Sequence, residues 1–249
     1  MIDAETIRRL ERAAFRAWPA EEVAAQAGWQ LRFMRGITHR GNSVYTSEGE
    51  ASEGLDQRID AVERYYAERG LPPSFHMSPV SGPGGLDDAL AARGYAIEAP
   101  VSVRVAEVAA LLDDEADEAS VSVELEERWF ALAGARSRFV RHQDCYRGLL
   151  DRIGLRAAYA LATLDGQPAA TALGVHDGEW FGIHSMLTQP DARRQGLGRA
   201  LISGLARHAG ERRAERLYLL VEMDNAPALR LYERAGFREL YRTHYRTRR

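Results

Sequence analysis

Three predicted strands lead directly into a glycine-containing turn and a helix, and this order constrains the fold more than any other feature. The strands are predicted at residues 156–164, 168–175 and 180–187. Asp165-Gly166 and Asp177-Gly178 separate them and are typical hairpin turns. After the turn, leucines at 197, 201 and 205 recur at the four-residue step of an amphipathic helix. A meander that ends at a helix N-terminus predicts an α/β fold with a mixed sheet.

The turn itself reads Arg193-Arg194-Gln195-Gly196-Leu197-Gly198. Glycines let a backbone approach a ligand closely, and the start of a helix offers free N–H groups and a positive dipole end. Together with the charge of Arg199, the turn therefore predicts a pyrophosphate site, although a plain tight turn before a surface helix is the alternative. A Walker loop is excluded because no Gly-Lys-Ser/Thr is present, and a Rossmann fingerprint because Leu201 stands where a small residue is needed.

Two blocks resemble the Gcn5-related N-acetyltransferase (GNAT) superfamily. Arg193, Gly196 and Gly198 match its loop of the form Arg/Gln-x-x-Gly-x-Gly/Ala. Residues 225–237, Asn-Ala-Pro-Ala-Leu-Arg-Leu-Tyr-Glu-Arg-Ala-Gly-Phe, resemble its Asn-x-x-Ala…Leu-Tyr-x-x-x-Gly-Phe segment. The resemblance covers about residues 121–249 and implies an acetyl-CoA-dependent enzyme that transfers acetyl directly to a primary amine of a small molecule or peptide. The alternative is a non-catalytic acyl-CoA-binding or sensor module.

The resemblance also implies where acetyl-CoA would lie, namely between the strand that ends at Leu187 and the one that ends at Val221. The backbone of Met186, Leu187 and Thr188 would hold the pantetheine arm and the thioester. Asn225 would contact the cofactor arm, and Tyr232 would face the thioester sulfur. The pyrophosphate would bind the amides of Arg194, Gln195, Gly196, Leu197, Gly198 and Arg199.

Acetyl transfer requires an amine that loses a proton and a leaving thiolate that gains one. Tyr232 is the predicted proton donor, with simple packing of its helix as the alternative. Some superfamily members carry a glutamate at the position of Leu220, so that base is absent here. Glu222 and His184 are the candidate bases, and Glu179 and His176 are more remote; each could equally be a solvated or packed side chain, and water could accept the proton instead.

The first half of the chain resembles a second copy, offset by 142 residues. Gly94 then aligns with Gly236, and Gly54 with Gly196. We therefore expect two GNAT-like domains, each a twisted mixed sheet flanked by helices: a degenerate one at 1–112, a linker at 113–120 and a catalytic one at 121–249. Chance similarity of amphipathic helices is the alternative.

The copy has lost the expected chemistry, because Asp56 falls on Gly198 and Leu90 on Tyr232. Its polar residues could face the substrate or be purely structural: Trp29, Arg32, His39, Arg40, Asn42 and Tyr45. In the closing strand, His244 and Arg246 could line the acceptor pocket or form the polar face of an exposed strand.

The composition narrows the partners. The net charge is −3 and all 33 basic side chains are arginine, so bulk charge does not favour nucleic acid. Cys145 is the single cysteine, which excludes an internal disulfide, and no Cys/His cluster has metal-site spacing. Residues 1–5 do not resemble a signal peptide and no segment is long and apolar enough for a membrane. We expect a cytoplasmic monomer or homodimer without a metal.

Overall fold

The computed structural model describes residues 3–26, 28–46, 54–112, 119–136 and 138–248. They belong to two compact units that are not contiguous halves of the chain. The first unit comprises Met1–Ser102 together with Tyr241–Arg249, and the second comprises Val103–Leu240. The end of the chain therefore completes the unit in which the chain begins.

The first unit is a sheet with helices on both faces. Its elements in chain order are α1 (Ala4–Arg16), β1 (Glu22–Gln26), β2 (Trp29–Phe33), β3 (Val44–Tyr45), α2 (Leu55–Ala67), β4 (Ser74–Met77), α3 (Leu86–Ala92) and the first part of β5 (Ala96–Glu107). Strands β1 to β3 pair antiparallel, and β3 and β4 pair parallel. Trp29, Leu31, Phe75 and other apolar side chains form a buried core against Ile59 and Val62 of α2.

The second unit contains the predicted meander and the helix that follows it. After the end of β5, its elements are α4 (Ala109–Leu112), β6 (Ser120–Ser122), α5 (Glu127–Arg136), α6 (Gln143–Ile153), β7 (Ala157–Leu164), β8 (Gln167–Asp177), β9 (Trp180–Thr188), α7 (Leu197–Glu211), β10 (Arg216–Glu222) and α8 (Ala226–Arg234). Strands β6 to β9 pair antiparallel, and β9 pairs parallel with β10. The buried face of α7, with Leu201 and Leu205, packs on Phe181 and Ile183 of β9 and on Leu217 of β10.

The last strand is β11 (Arg238–Thr247). It occupies the place that the internal repeat predicts for β5, and β5 occupies the place predicted for β11. Under the 142-residue offset, β5 matches β11 and β4 matches β10. In the first unit, however, β4 pairs antiparallel with β11, from Ser74 opposite Thr247 to Met77 opposite His244. In the second unit, the neighbour of β10 is β5. Each unit is thus completed by a strand from the other half of the sequence.

The predicted α/β class is confirmed, and most predicted helices and strands are present with shifted ends. Of the predicted linker, 113–118 lie outside the described residues, while Ser120 begins β6. The sequence interpretation missed β1, α4 and β6, which are short. Among the described residues, no helix has the length and apolar character needed to cross a membrane.

Candidate functional site

The neighbouring strands β9 and β10 share hydrogen bonds over only part of their length. Their parallel ladder runs from Trp180 opposite Arg216 to Ile183 opposite Leu219. Beyond these positions β9 continues to Thr188 and β10 to Glu222. The carboxyl ends of the two strands therefore present backbone groups that are not used in this ladder, at the place where the sequence predicts the cofactor arm.

A β-bulge explains why β9 changes direction here. On β8, Leu173 pairs with His184 and Thr171 pairs with Leu187, so two residues of β9 lie opposite one of β8. One of them, Ser185, has a φ of 49°, in the left-handed region. The bulge re-aims the residues that follow, which include the predicted contacts Met186, Leu187 and Thr188.

The turn before α7 has the backbone geometry expected of an anion site. Gly196 is the N-cap with a φ of 80°, and no side chain caps the helix. Arg194 also has a positive φ, of 66°. The side chains of Arg193 and Arg194 are exposed. Amides at an uncapped helix start, together with two exposed guanidinium groups, suit a phosphate or diphosphate.

Gly198 and Arg199 connect this turn to α8. A Cβ atom on Gly198 would lie 2.8 Å from Cδ2 of Leu231, so glycine allows the two helices to pack closely. Nη1 of Arg199 donates to the carbonyl oxygen of Arg234 at 3.3 Å. The Arg199 side chain therefore caps the last turn of α8, a role that the sequence interpretation did not assign to it.

Tyr232 meets the bulged strand. Its hydroxyl lies 3.4 Å from Sδ of Met186 and is the donor of this weak hydrogen bond. The residue is 8% exposed, and burial raises the pKa of its phenol to about 12. The structure thus brings the predicted proton donor to the predicted thioester strand and keeps it protonated at physiological pH.

Asn225 is the N-cap of α8. Its side chain accepts a hydrogen bond from the amide of Ala228 at 3.2 Å, which accounts for an asparagine at this position in structural terms. The predicted contact with the cofactor arm remains a prediction.

Glu222, one candidate base, ends β10 and is partly exposed. Its Oε1 lies 2.5 Å from Nη2 of Arg138, which follows α5. Because 84 residues separate the two, no sequence signal indicated this ion pair. The carboxylate is therefore held by the guanidinium group of Arg138.

His184, the other candidate, is buried one residue beyond the last pair of the β9–β10 ladder. Its ring packs edge to face against Tyr218, with centroids 5.8 Å apart. A Cβ atom on Gly182 would lie 2.5 Å from both His184 Nε2 and the Tyr218 hydroxyl. Gly182 therefore makes room for two polar groups, and Tyr218 is a neighbour that sequence reasoning missed.

The remaining candidates lie elsewhere. Glu179 and His176 sit at the opposite end of β9 from the bulge, where Glu179 lies 3.7 Å from Arg216. Cys145 is buried in α6. In the first unit, Arg246 makes a two-pronged ion pair with Asp87 and His244 lies 3.4 Å from the same carboxylate, which fits the structural interpretation of both residues. Among the described residues, no group of three potential ligands could hold a metal ion.

Known proteins resemble this chain over nearly its whole length. A family model described as "Probable histone acetyltransferase Rv0428c C-terminal" matches residues 4–246. The chain is 30% identical to the "Uncharacterized N-acetyltransferase YobR" of Bacillus subtilis, over 98% of this chain and 100% of that protein.

Solved structures show the same fold. A GCN5-related N-acetyltransferase from Kribbella flavida superposes with a TM-score of 0.72 at 17% identity, over 99% of this chain and 96% of that one. A tandem GNAT protein from the clavulanic acid biosynthesis pathway gives 0.64 at 15% identity, over 82% and 73%. The chain therefore belongs to the Rv0428c acetyltransferase family and is an N-acetyltransferase of the GNAT superfamily.

Proposed function

We propose that the second unit transfers an acetyl group from acetyl-CoA directly to a primary amine of a small molecule or peptide, where β9 and β10 part. The observation that carries the proposal is the Tyr232 hydroxyl next to Met186 on the bulged strand. The uncapped start of α7 lies on the same unit and fits the diphosphate of the cofactor.

The residues present fit this cofactor. Exposed Arg193 and Arg194 would neutralise its phosphates, and the amides from Gly196 onward would bind them. The backbone of residues 186–188, beyond the β9–β10 ladder, would bind the pantetheine arm. Bound acetyl-CoA supplies the acyl group as an activated thioester.

Tyr232 would act as the acid of the reaction. As the amine nitrogen bonds to the carbonyl carbon and the carbon–sulfur bond breaks, the phenol donates its proton to the departing sulfur. The proton lost by the amine goes to a base and then returns to the phenolate. Burial raises the pKa of the phenol to about 12, so the donor is protonated before each turnover.

Glu222 and His184 are both proposed as acceptors of the amine proton. Glu222 is accessible at the end of β10, where it pairs with Arg138. His184 is buried beside Tyr218 and would need water to relay the proton. Glu222→Gln and Arg138→Gln separate a base from a structural ion pair. If Glu222 is the base, only Glu222→Gln lowers turnover. If the ion pair is structural, both variants lower turnover equally.

The proposal is tested by calorimetry with coenzyme A and by thiol release from acetyl-CoA across a panel of small and peptide amines. We expect binding, together with amine-dependent thiol release. Binding without release for any amine would instead identify a non-catalytic acyl-CoA-binding module. Absence of binding would contradict the proposal.

A further inference from the structure

The α5–α6 turn, residues 138–142, is anchored in the second unit by an aromatic side chain. Phe139 is 3% exposed, and its ring stacks on that of Tyr146 in α6, with centroids 4.6 Å apart and an angle of 11° between the planes. The residues on either side of it, Arg138 and Val140, are exposed. Because Phe139 fixes the turn, the Arg138 side chain starts from a defined position and loses little freedom when it binds a partner.

Arg138 reaches from this turn to the end of β10. Its Nη2 lies 2.5 Å from Oε1 of Glu222, and the two side chains are 59% and 47% exposed. Among the described residues, neither side chain has a further hydrogen-bond or ion-pair partner. The contact therefore leaves Nη1 and Nε of the arginine, and Oε2 of the glutamate, for a ligand.

A second exposed ion pair of the same unit shows what is particular about this one. Arg128 and Glu126 are also 2.5 Å apart, and their side chains are 55% and 40% exposed. They are two residues apart in the chain, so their contact follows from local geometry. Arg138 and Glu222 are 84 residues apart, and their contact brings the α5–α6 turn to the strand end where β9 and β10 part. This ion pair therefore lies beside the proposed acetyl-transfer site.

Val221, the residue before Glu222, relates the pair to the proposed proton donor. Its side chain is buried in the same apolar cluster as Tyr232 and Met186. Side chains alternate along a strand, so Glu222 points to the opposite face of the sheet from Val221. Glu222 and Tyr232 thus flank the end of β10 from opposite faces, which suits one group that meets the amine and another that meets the departing sulfur.

The two sides of this contact carry opposite charge. In the α5–α6 turn the ionisable side chains are all basic and exposed, namely Arg138, Arg141 and His142. Those of residues 222–224, at the strand end, are both acidic and exposed, namely Glu222 and Asp224. The surface is therefore basic at the turn and acidic at the strand end.

An amine without a second charge fits this surface poorly. Its ammonium group would pair with Glu222 beside the guanidinium group of Arg138, and like charges repel at short range. A carboxylate on the same molecule removes the conflict, because it pairs with Arg138 while the ammonium group pairs with Glu222. Water screens the exposed ion pair and makes it weak, so both of its charges can be exchanged for those of a ligand at little cost.

We propose that the acceptor is a small zwitterion, an α-amino acid whose ammonium group binds Glu222 and whose carboxylate binds Arg138. This substrate class rests on the proposed acetyl transfer and narrows it. The charged groups of Arg138 and Glu222 are adjacent, which matches the short spacing between the two charges of an α-amino acid. The two ends of a peptide chain are too far apart to bind in the same way.

Atoms and charges balance for this substrate. The ammonium group first loses one proton to water. As its nitrogen bonds to the acetyl carbon and the carbon–sulfur bond breaks, Tyr232 gives its proton to the sulfur, and a second proton of the nitrogen passes through the base to the phenolate. The product is an uncharged amide with a carboxylate. It no longer attracts Glu222, which pairs with Arg138 again as the product leaves.

Thiol-release kinetics with a panel of neutral α-amino acids and their amides test the proposal. Each amide has the shape of its acid and mimics the N-terminus of a peptide, but it lacks the carboxylate. The carboxylate makes the amine harder to deprotonate, so intrinsic reactivity favours the amide. We expect kcat/KM to be at least tenfold higher for the preferred amino acid than for its amide.

Two other outcomes are distinguishable. If the amides react as well as the acids throughout the panel, the zwitterion proposal is overturned and acetyl transfer to amines stands. If no amine of any kind releases thiol, the proposed acetyl transfer fails together with this narrower proposal.

Three variants test the role of Arg138. Arg138→Gln should lower kcat/KM for the preferred amino acid at least tenfold more than for its amide, and Arg138→Lys, which keeps the charge but loses the fork of donors, should lie between. Arg128→Gln is the matched control, because its ion pair has the same length and similar exposure, and the ratio of acid to amide should not change. A ratio in Arg138→Gln equal to that of the wild type would show a structural role and overturn the proposal.

Calorimetry gives a measurement that does not depend on turnover. The preferred amino acid should bind the coenzyme A complex more tightly than its amide does, and Arg138→Gln should abolish this difference. An unchanged difference would place the carboxylate elsewhere. Because an amide gives Arg138 no carboxylate to bind, amides are also the substrates with which Glu222→Gln and Arg138→Gln distinguish a base from a structural ion pair.

Discussion

The helices α2 and α7 begin with the same backbone geometry but with different chemistry. Gly54 and Gly196 are their N-caps, with φ values of 66° and 80°, and neither helix has a side-chain cap. Two residues later, α2 carries Asp56 and α7 carries Gly198. A carboxylate in the first turn already uses the positive end of the helix dipole, so α2 is unsuited to a diphosphate. Of the two helix N-termini, we therefore propose only that of α7 as an anion site, because its first turn carries no acid.

The surroundings of the two helices differ in the same direction. Asp56 lies 2.9 Å from Nη2 of Arg93, whose Nη1 lies 2.6 Å from Asp60. At the position that corresponds to Tyr232, Leu90 is fully buried in the apolar core of the first unit. The first unit therefore keeps the packing of the repeat but lacks the phenol that we propose as the proton donor.

The largest expected effect comes from making α7 resemble α2. Gly198→Asp should lower coenzyme A affinity by about 100-fold, because a carboxylate would face the phosphates at short range. Isothermal calorimetry measures this. Gly198→Asn is the matched control, since it has the same size and must also displace Leu231. Equal losses in both variants would mean that crowding, and not charge, distinguishes the two helices.

The second effect concerns the proton donor. Tyr232→Phe should lower kcat by roughly 100-fold and leave coenzyme A affinity unchanged, because only the proton transfer is lost. Steady-state kinetics with thiol release measures this. The control is Tyr95→Phe, which removes a phenol of the first unit that is hydrogen-bonded to Glu63. Unchanged turnover in Tyr232→Phe would show that Tyr232 donates no proton and so does not differ from Leu90 in catalysis.

The third effect is a pH dependence. Burial raises the pKa of Tyr232 to about 12, so the neutral phenol that donates the proton is present below that pH and is lost only above it. Ionisation of Tyr232 should therefore not lower kcat between pH 6 and pH 10. The pH profiles of the wild-type protein and of Tyr232→Phe should have the same shape over this range. Such a decrease near pH 9 would show that the phenol ionises within the measured range.

The smallest effect is expected in the first unit. Asp56→Asn removes an exposed ion pair with Arg93, so the free energy of unfolding in urea should fall by less than about 1 kcal/mol. Asp56→Asn should still bind one coenzyme A per chain, because no described residue of the first unit corresponds to Arg193 or Arg194. A second equivalent bound by this variant would show that one carboxylate was all that separated the helices.

Local sequence patterns were sufficient for the main elements of the second unit. Alternation, hairpin turns and the glycine turn predicted β7, β8, β9 and α7, and the resemblance indicated Tyr232 on α8. The two-residue β3 and the strands β1 and β6 show why short elements are harder: a few residues provide too little periodicity for a pattern.

Long-range pairings could not be predicted. The partners Arg138 and Glu222, and Arg32 and its carbonyl acceptors, are far apart in the chain and carry no signal in spacing. The exchange of β5 and β11 is likewise invisible, because both strands satisfy the same pattern and either could close either unit.

The position of β11 has a consequence for how the protein is made. One of the two neighbours of β4, the strand β11, is synthesised some 160 residues after β4, so one edge of β4 stays unpaired until then. An unpaired edge during that time can join another nascent chain. Slow translation of the second half of the chain would therefore be expected to lower the yield of folded protein. The codons concerned encode only a few residues of the first unit.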